Sequence, residues 1–588
     1  MSIAMNVRVS GASVYLNEVL VVTLRSGRNE ERAANVGASL KKLTPDADLR
    51  IEKQGTSYAI VDGDRTVLTA GRLEAAAQDT TTLELAKAWL ANLKKALNTS
   101  PQQFGVDSVK IPLGKTQILE LAGTQLSEAE VLTDNSAVAA PRRKGTRVSI
   151  YGKAVGDATI TLTSGEFTKS VKVKVMPYAA VLPQTFTVRV TGDPASNEVV
   201  RGAVEGALWT RFQSVEGTES QFKMPDPGTV GREESKTIRI PVKVSGNDVF
   251  TSEGVINVIV KNEALFNKPE QFLWYCNEPE NITRFQNLFA SELKPGIPVR
   301  LLYHHINASY SGMVVEAQVI NESDVEAQVL ILPGDSKPDK NPVLAGIVAG
   351  DQLLRNWIRF SGEVVTVPPR SSIPIAIHRL APQETMSGLA SLRLLDGGPS
   401  RLVFRVDSMP PLESGGTKLD AALNSSTPWR RLPPQPLTYE GRTKVTPSPH
   451  IYPKPFKTET VDYVVGGRHG FVRIGQKPIS RPEGKGLDGN FGVFYTIEAS
   501  LSNPLNDSAD IEIVFEASAG YSGALFIVNG ELKRTPLLQP KDEALIMRVK
   551  LSSGEKRKLT IMTVPLSGSS YPATIVVRPV GTGSVRVH

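Results

Sequence analysis

At 588 residues the chain is too long for one hydrophobic core and predicts roughly three to five domains. A hydrophobic fraction of 40% with 22% charged residues excludes a disordered chain. A net charge of +7, spread over 67 basic and 60 acidic residues, argues against the concentrated basic stripe of a nucleic-acid binder. Frequent Val, Thr and Ile, with 48 Gly and 40 Pro for turns, lean towards β structure.

The N-terminus MSIAMNVRVSG has neither the basic nor the apolar region of a signal peptide. The chain is therefore either cytosolic or a mature form whose signal has been removed. Within residues 1–100, NEERAANVGASLKKL places Ala33, Val36, Leu40 and Leu43 on one helical face. TTTLELAKAWLANLKKAL does the same with Leu83, Ala86, Leu90, Leu93 and Leu97, and the threonines before it can cap the start. Strand-like runs lie before and between them, SYAIVDGDRTVLTA turning at Asp62-Gly63. The expectation is a small α/β sandwich. This succession loosely resembles extracytoplasmic N-terminal modules of bacterial envelope proteins.

From Gly105 to 177 the pattern is strands alone, with Val171, Val173 and Val175 alternating against Lys172 and Lys174. A turn at Pro112 and Gly114, then Gly152, Gly156 and the run Thr159 to Thr163, resembles the N-terminal domain of pilus-formation and secretin-associated proteins, or a bacterial Ig-like module. The GKT at 114–116 is not a phosphate loop. Position 109 is Val where a glycine is needed, and QILEL continues as a strand rather than a helix. The basic group PRRKGTR, Pro141 to Arg147, contains no interleaved aromatic and reads as a solvated face.

Residues 178–262 read as a separate α+β segment, with a helix opened by Asp193-Pro194 and carried by Val200, Val204, Ala207 and Leu208. Cys276 stands alone in QFLWYCNEP, which excludes an intramolecular disulfide. Flanked by Phe272, Trp274 and Tyr275, it reads as a small buried hydrophobe with no base nearby in sequence.

The most informative feature is an internal repeat. MVVEAQVINESDVEAQVLILPG from Met313 matches VFYTIEASLSNPLNDSADIEIVFEAS from Val493, each a strand, an Asn-led polar turn and a strand. Downstream, VTVPPRSSIPIAIHRLAPQETMSG matches VKLSSGEKRKLTIMTVPLSG. The spacing predicts two copies of one sandwich, at 263–408 and 458–588, resembling the Ig-like and CARDB-like modules of bacterial surface proteins. A helix in NPVLAGIVAGDQLLRNWIRF interrupts the first copy only. Between the copies, residues 409–457 are rich in proline and read as a tether, or as an ordered strap if Trp429, Tyr439, Tyr452 and Phe456 pack on a neighbouring sandwich.

Candidate chemistry centres on His304 and His305 in LLYHHINASY. Strand alternation sends their side chains to opposite faces, one towards the sandwich interior and one towards solvent. His378 is placed to approach one of them, while His450, His469 and His588 are scattered, and no HExxH spacing exists. The acidic turn GDSKPDKN from Gly334 lacks the calcium-loop alternation. No GxSxG elbow or dinucleotide fingerprint is present. The reading is mainly β: tandem Ig-like β-sandwich modules with a small N-terminal α/β sandwich domain, without catalytic, cofactor or metal residues. It implies an extracytoplasmic structural, scaffold or adhesion protein of the bacterial envelope, linked to pilus or secretion machinery. Its partners would be other envelope or surface proteins, copies of itself or a polysaccharide, with neither nucleic acid nor a transmembrane segment. The alternatives are a carbohydrate-binding protein, marked by exposed aromatics on one sheet face, and a hydrolase with a carboxylate pair across a cleft.

Overall fold

The computed structural model describes residues 7–581 apart from 45, 100–101, 124–128, 165–166, 412–433, 483 and 519. The chain is mainly β, about 50% strand and 13% helix. It divides into two compact units, Met1–Ala179 with Gly246–Thr251, and Ala180–Ser245 with Ser252–His588.

The first unit opens with strands β1 (Val7–Ser10), β2 (Ser13–Leu16) and β3 (Val19–Thr23), paired in that order, and helix α1 (Asn29–Leu40). A second sheet of β4 (Leu49–Gln54), β5 (Ser57–Asp62) and β6 (Arg65–Ala70) leads into α2 (Arg72–Ala77) and α3 (Thr82–Leu97). The Thr81 side chain caps α3 by accepting from the Glu84 amide at 3.2 Å. The helix buries Leu85, Ala86, Trp89, Leu93 and Ala96. This stripe is rotated from the expected leucine face, because the largest side chain, Trp89, takes the centre of the core with Leu16, Leu40 and Ile60.

Strands β7 (Gln102–Phe104), β8 (Ser108–Pro112), β9 (Thr116–Gly123), β10 (Glu130–Thr133), β11 (Ala139–Lys144), β12 (Arg147–Gly152), β13 (Gly156–Ser164) and β14 (Phe167–Met176) form two four-stranded sheets. Their orders are β10-β13-β14-β8 and β11-β12-β9-β7. Val171, Val173 and Val175 are buried between the sheets while Lys172 points outward, the alternation of one dry and one wet face. Thr116 begins a strand, so the GKT stretch has no helix N-terminus to hold a phosphate.

The second unit begins with β15 (Ala180–Val181), β16 (Thr185–Thr191), α4 (Asn197–Arg211), β17 (Gln213–Ser214), β18 (Glu219–Phe222), β19 (Ser235–Ser245) and β20 (Ser252–Asn262). Next come β21 (Phe272–Cys276), β22 (Asn281–Ile282), β23 (Gln286–Leu293), β24 (Val299–Asn307), β25 (Met313–Asn321) and β26 (Ala327–Leu332). Helix α5 (Pro342–Ile358) precedes β27 (Gly362–Val367), β28 (Ser371–Leu380), β29 (Thr385–Leu394) and β30 (Leu402–Met409). One large sheet runs β18-β19-β20-β16-β27-β26-β29-β24-β21. Within 178–262, residues 180–245 and 252–262 are therefore not separate from the first sandwich: Arg189, Val190 and Thr191 of β16 pair with Val364, Glu363 and Gly362 of β27 and extend it sideways. The facing sheet is β23-β30-β25-β28, and Trp274, Phe289, Leu301, Val315 and Phe404 fill the space between them.

Short strands β31 (Gln435–Pro436) and β32 (Ile451–Pro453) pair with β28 and β21, closing one edge of each sheet. The described part of the proline-rich stretch, 434–455, is thus an ordered strap; Trp429 lies outside the described residues. Tyr452 is buried, and Glu322 accepts from Tyr439 Oη at 3.0 Å and from the Thr443 amide at 2.9 Å.

The second sandwich comprises β33 (Phe456–Val464), β34 (Gly470–Ile474), β35 (Phe494–Ser502), β36 (Ala509–Glu516), β37 (Leu525–Val528), β38 (Glu531–Arg534), β39 (Glu543–Leu551), β40 (Lys556–Thr563) and β41 (Ala573–Pro579). Its order β39-β36-β41-β34 reproduces β27-β26-β29-β24, and β35 pairs β40 as β25 pairs β28. The repeated Asn turn has one physical basis. Asn321 Nδ2 donates to the carbonyls of Val325, Val367 and Pro368, and Asn503 Nδ2 to those of Asp507, Leu551 and Ser552. Each amide pins a turn to the facing sheet and satisfies carbonyls that would otherwise be stranded at the strand ends.

Helix α5 is started by Asn341, whose Oδ1 accepts from the amides of Val343 and Leu344, with Pro342 at the first helical position. It lies between the sandwiches. Its Leu353 and Leu354 join Leu273, Leu302 and Leu389 of the large sheet and Phe494 and Phe526 of the second sandwich in one apolar core. Contact is close because of Gly346, where a Cβ would fall 2.0 Å from the Ser567 carbonyl oxygen.

Candidate functional site

β24 is covered on both faces, by the first sandwich's own core and by α5 with the second sandwich. His304 and His305 do project to opposite faces, but both are fully buried, so the expectation that one meets solvent is overturned. The second copy packs over what an isolated sandwich would leave wet.

His305 Nδ1 lies 2.9 Å from the Pro279 carbonyl oxygen, and its Nε2 lies 3.3 Å from Cys276 Sγ. A carbonyl only accepts, so Nδ1 carries the proton and Nε2 receives the thiol S–H. Burial pushes the thiol well above its ordinary range and lowers His305 to about 4, so both groups are held neutral. A base therefore does stand beside Cys276, contributed from 29 residues away, yet the pair is an enclosed thiol–imidazole contact rather than a thiolate nucleophile. On the other face, burial lowers His304 to about 3, with His305 adding to the effect. Neither ring nitrogen of His304 has a hydrogen-bond partner among the described residues, and Glu280 stands 3.8 Å away.

His378 lies in the facing sheet, on β28. Its Nε2 is 2.9 Å from Asp335 Oδ1, which also accepts from Tyr303 Oη at 2.7 Å. Asp335 comes from the acidic turn GDSKPDKN, and Asp339 Oδ1 accepts from the Asn341 amide at 2.7 Å. The Asp335 carboxylate is thus engaged with the sandwich, and that of Asp339 with the amide of the residue that caps α5. His450 Nε2 is 3.2 Å from Glu278, His469 stacks near Phe471, and His588 lies outside the described residues. No group of three or more His, Cys, Asp or Glu side chains among the described residues is arranged to hold a metal ion. No helix among them is long and apolar enough to cross a membrane.

Two carboxylate arrangements bear on hydrolysis. A cleft of about 450 Å³ between α4 and the large sheet is lined by Arg189, Glu326, Gln328 and Glu363. Glu363 pairs with Ile331, five residues along from Glu326, which sets the two backbones about 17 Å apart along the strands. Arg189 is held by Glu263. The second arrangement was hidden in the sequence: Glu316 of β25 lies directly opposite Asp407 of β30. Burial, then the Asp407 charge, pushes Glu316 up to about 7. The two backbones stand roughly 5 Å apart on adjacent strands, side by side on one sheet.

No family model matches the chain, and no curated protein matches it. Among solved structures, domains 4 and 5 of the S-layer protein SbsC align at 15% identity over 20% of this chain and 63% of that one, with a TM-score of 0.12. A tandem of titin Ig domains aligns at 9% identity over 28% and 98%, with a TM-score of 0.13. The insect immune protein hemolin aligns at 10% identity over 34% and 63%, with a TM-score of 0.16. Similarity at this level carries no argument about what this chain does.

Proposed function

We propose that the chain is a non-catalytic, extracytoplasmic structural or adhesion protein of a bacterial envelope, working beside pilus or secretion machinery. The observation that carries this reading is the shared core of the second unit, in which α5 and the strap join two sandwiches into one body. Groups with chemical potential, Cys276, His304, His305 and His378, are all buried inside that body. Reactive side chains sealed at sheet interfaces suit load-bearing and display, not turnover.

The test is localisation in producing cells. Antibody against the chain should detect it in the envelope or released fraction, and protease added to intact or osmotically opened cells should remove that signal. Recovery in the cytosol alone would overturn the reading.

A further inference from the structure

The basic run from Pro141 to Arg147 contains no aromatic residue, but the sheet supplies one from the neighbouring strand. On the outer face of β11, β12 and β9, Ala140 pairs with Tyr151, Arg142 with Ser149 and Lys144 with Arg147. β12 in turn sets Tyr151 against Thr116, Ser149 against Ile118 and Arg147 against Glu120. Leu119, Val148 and Ile150 take the inner face, so these partners all look outward. Tyr151 is 44% exposed and Ile118 55%, large apolar side chains left in water; Arg142 lies diagonal to Tyr151 and across Ser149 from Ile118, with Lys144 one same-face step further along. Glu120 is the one acid among them and is held by Arg147 at 2.7 Å. Lys115 and Lys153, both exposed, flank the same end as Tyr151.

We propose that this face binds an anionic polysaccharide, a polymer of uronate-bearing sugars. A pyranose ring offers a flat C–H face to the strip of Tyr151 and Ile118, and its hydroxyls meet Ser149 and Thr116. The carboxylates on successive sugars meet Arg142, Lys144 and Arg147, with a guanidinium matching a carboxylate in the plane of its fork. Same-face residues repeat about every 6.7 Å along a strand and strands about every 4.8 Å across, so Arg142, Lys144 and Arg147 lie to one side of the apolar pair at sugar-sized intervals. A single-stranded nucleic acid is the weaker fit, since it needs successive aromatic platforms and a backbone groove where this face is flat with one ring. The inference rests on the reading of the chain as a non-catalytic adhesion protein and names its partner.

The experiment uses the full chain and polygalacturonate, measuring affinity at about 50 mM and 300 mM salt and the polymer's length before and after incubation. The wild type should bind in a salt-dependent way and leave the polymer length unchanged. The triple variant R142A/K144A/R147A should lose about tenfold or more in affinity, and Y151A several-fold with the salt dependence kept. Replacing Lys110 and Lys172, on the opposite sheet of the same sandwich, should change nothing. Absence of binding, equal binding of a neutral glucan, tighter binding of single-stranded DNA, or equal loss in the Lys110 and Lys172 variant would overturn the proposal. Shortening of the polymer would instead overturn the non-catalytic reading while leaving the face as its binding site.

Discussion

Arg300 and Glu270 form an ion pair at 2.7 Å with both side chains sealed from solvent. The same guanidinium donates to the carbonyls of Pro455 in the strap and Gly492 in the second sandwich, and lies over the ring of Phe494 at 4.1 Å. One side chain of β24 thus holds three parts of the unit together. Arg300→Ala should cost about 3–5 kcal/mol, because it strands a buried carboxylate and two carbonyls. Replacing both partners by apolar residues should cost less than Arg300→Ala alone. Urea unfolding of the wild type and the two variants reads this directly; a loss below about 1 kcal/mol for Arg300→Ala would show that the pair is not structural.

The contact at Gly346 makes a second prediction. Gly346→Ala forces α5 away from Ser567 and should destabilise by about 1–3 kcal/mol. In wild type, amide protection of β24 and β29 should be lost at the same denaturant concentration as that of β35 and β40, since they share a core. In the variant the second sandwich should open first. Separate opening in wild type would mean that the shared core does not couple the sandwiches.

Acid should weaken the second unit through its histidines. His304 and His305 are held far below the ordinary imidazole value, to about 3 and about 4, so between there and about 6.5 the unfolded chain binds protons that the folded one refuses. Their stabilising contribution is complete above pH 6.5 and falls with pH by about 1.4 kcal/mol per unit for each histidine. His304→Leu should reduce that slope, and at neutral pH it should not destabilise, because the ring's nitrogens have no hydrogen bonds to lose. Denaturation midpoints from pH 7.5 to 4.5 test both statements; an unchanged slope would count against the buried ring.

Glu316 has the opposite sign. Its folded value is raised to about 7, so the contribution of the protonated form is complete below the ordinary carboxyl range and is lost as pH rises through 7. Glu316→Gln should therefore stabilise at pH 8, on the order of 1–3 kcal/mol, and change little at pH 4. Equal effects at the two pH values would show that Glu316 does not hold a proton in the fold.

Elements governed by local chemistry were legible in the sequence: α1, the capped α3, the valine alternation of β14 and the helix interrupting the first copy. So was the duplication, because its Asn turns do identical work at Asn321 and Asn503. Features set by contacts between distant segments were not. The run VRLLYHHIN is nearly all apolar or neutral, as a strand buried on both faces is, but alternation was the stronger expectation for a sandwich. Cys276 gains its base, and Arg142 its aromatic neighbour, only through pairing that spacing along the chain does not encode.

Helix α5 also makes the duplication directional. The first copy carries the helix that seats its neighbour, whereas the short hairpin of β37 and β38 stands between β36 and β39 of the second. Among the described residues the second copy carries no equivalent helix, so the docking runs one way only, and reversing the order of the halves would leave the apolar outer face of β24 and β29 bare.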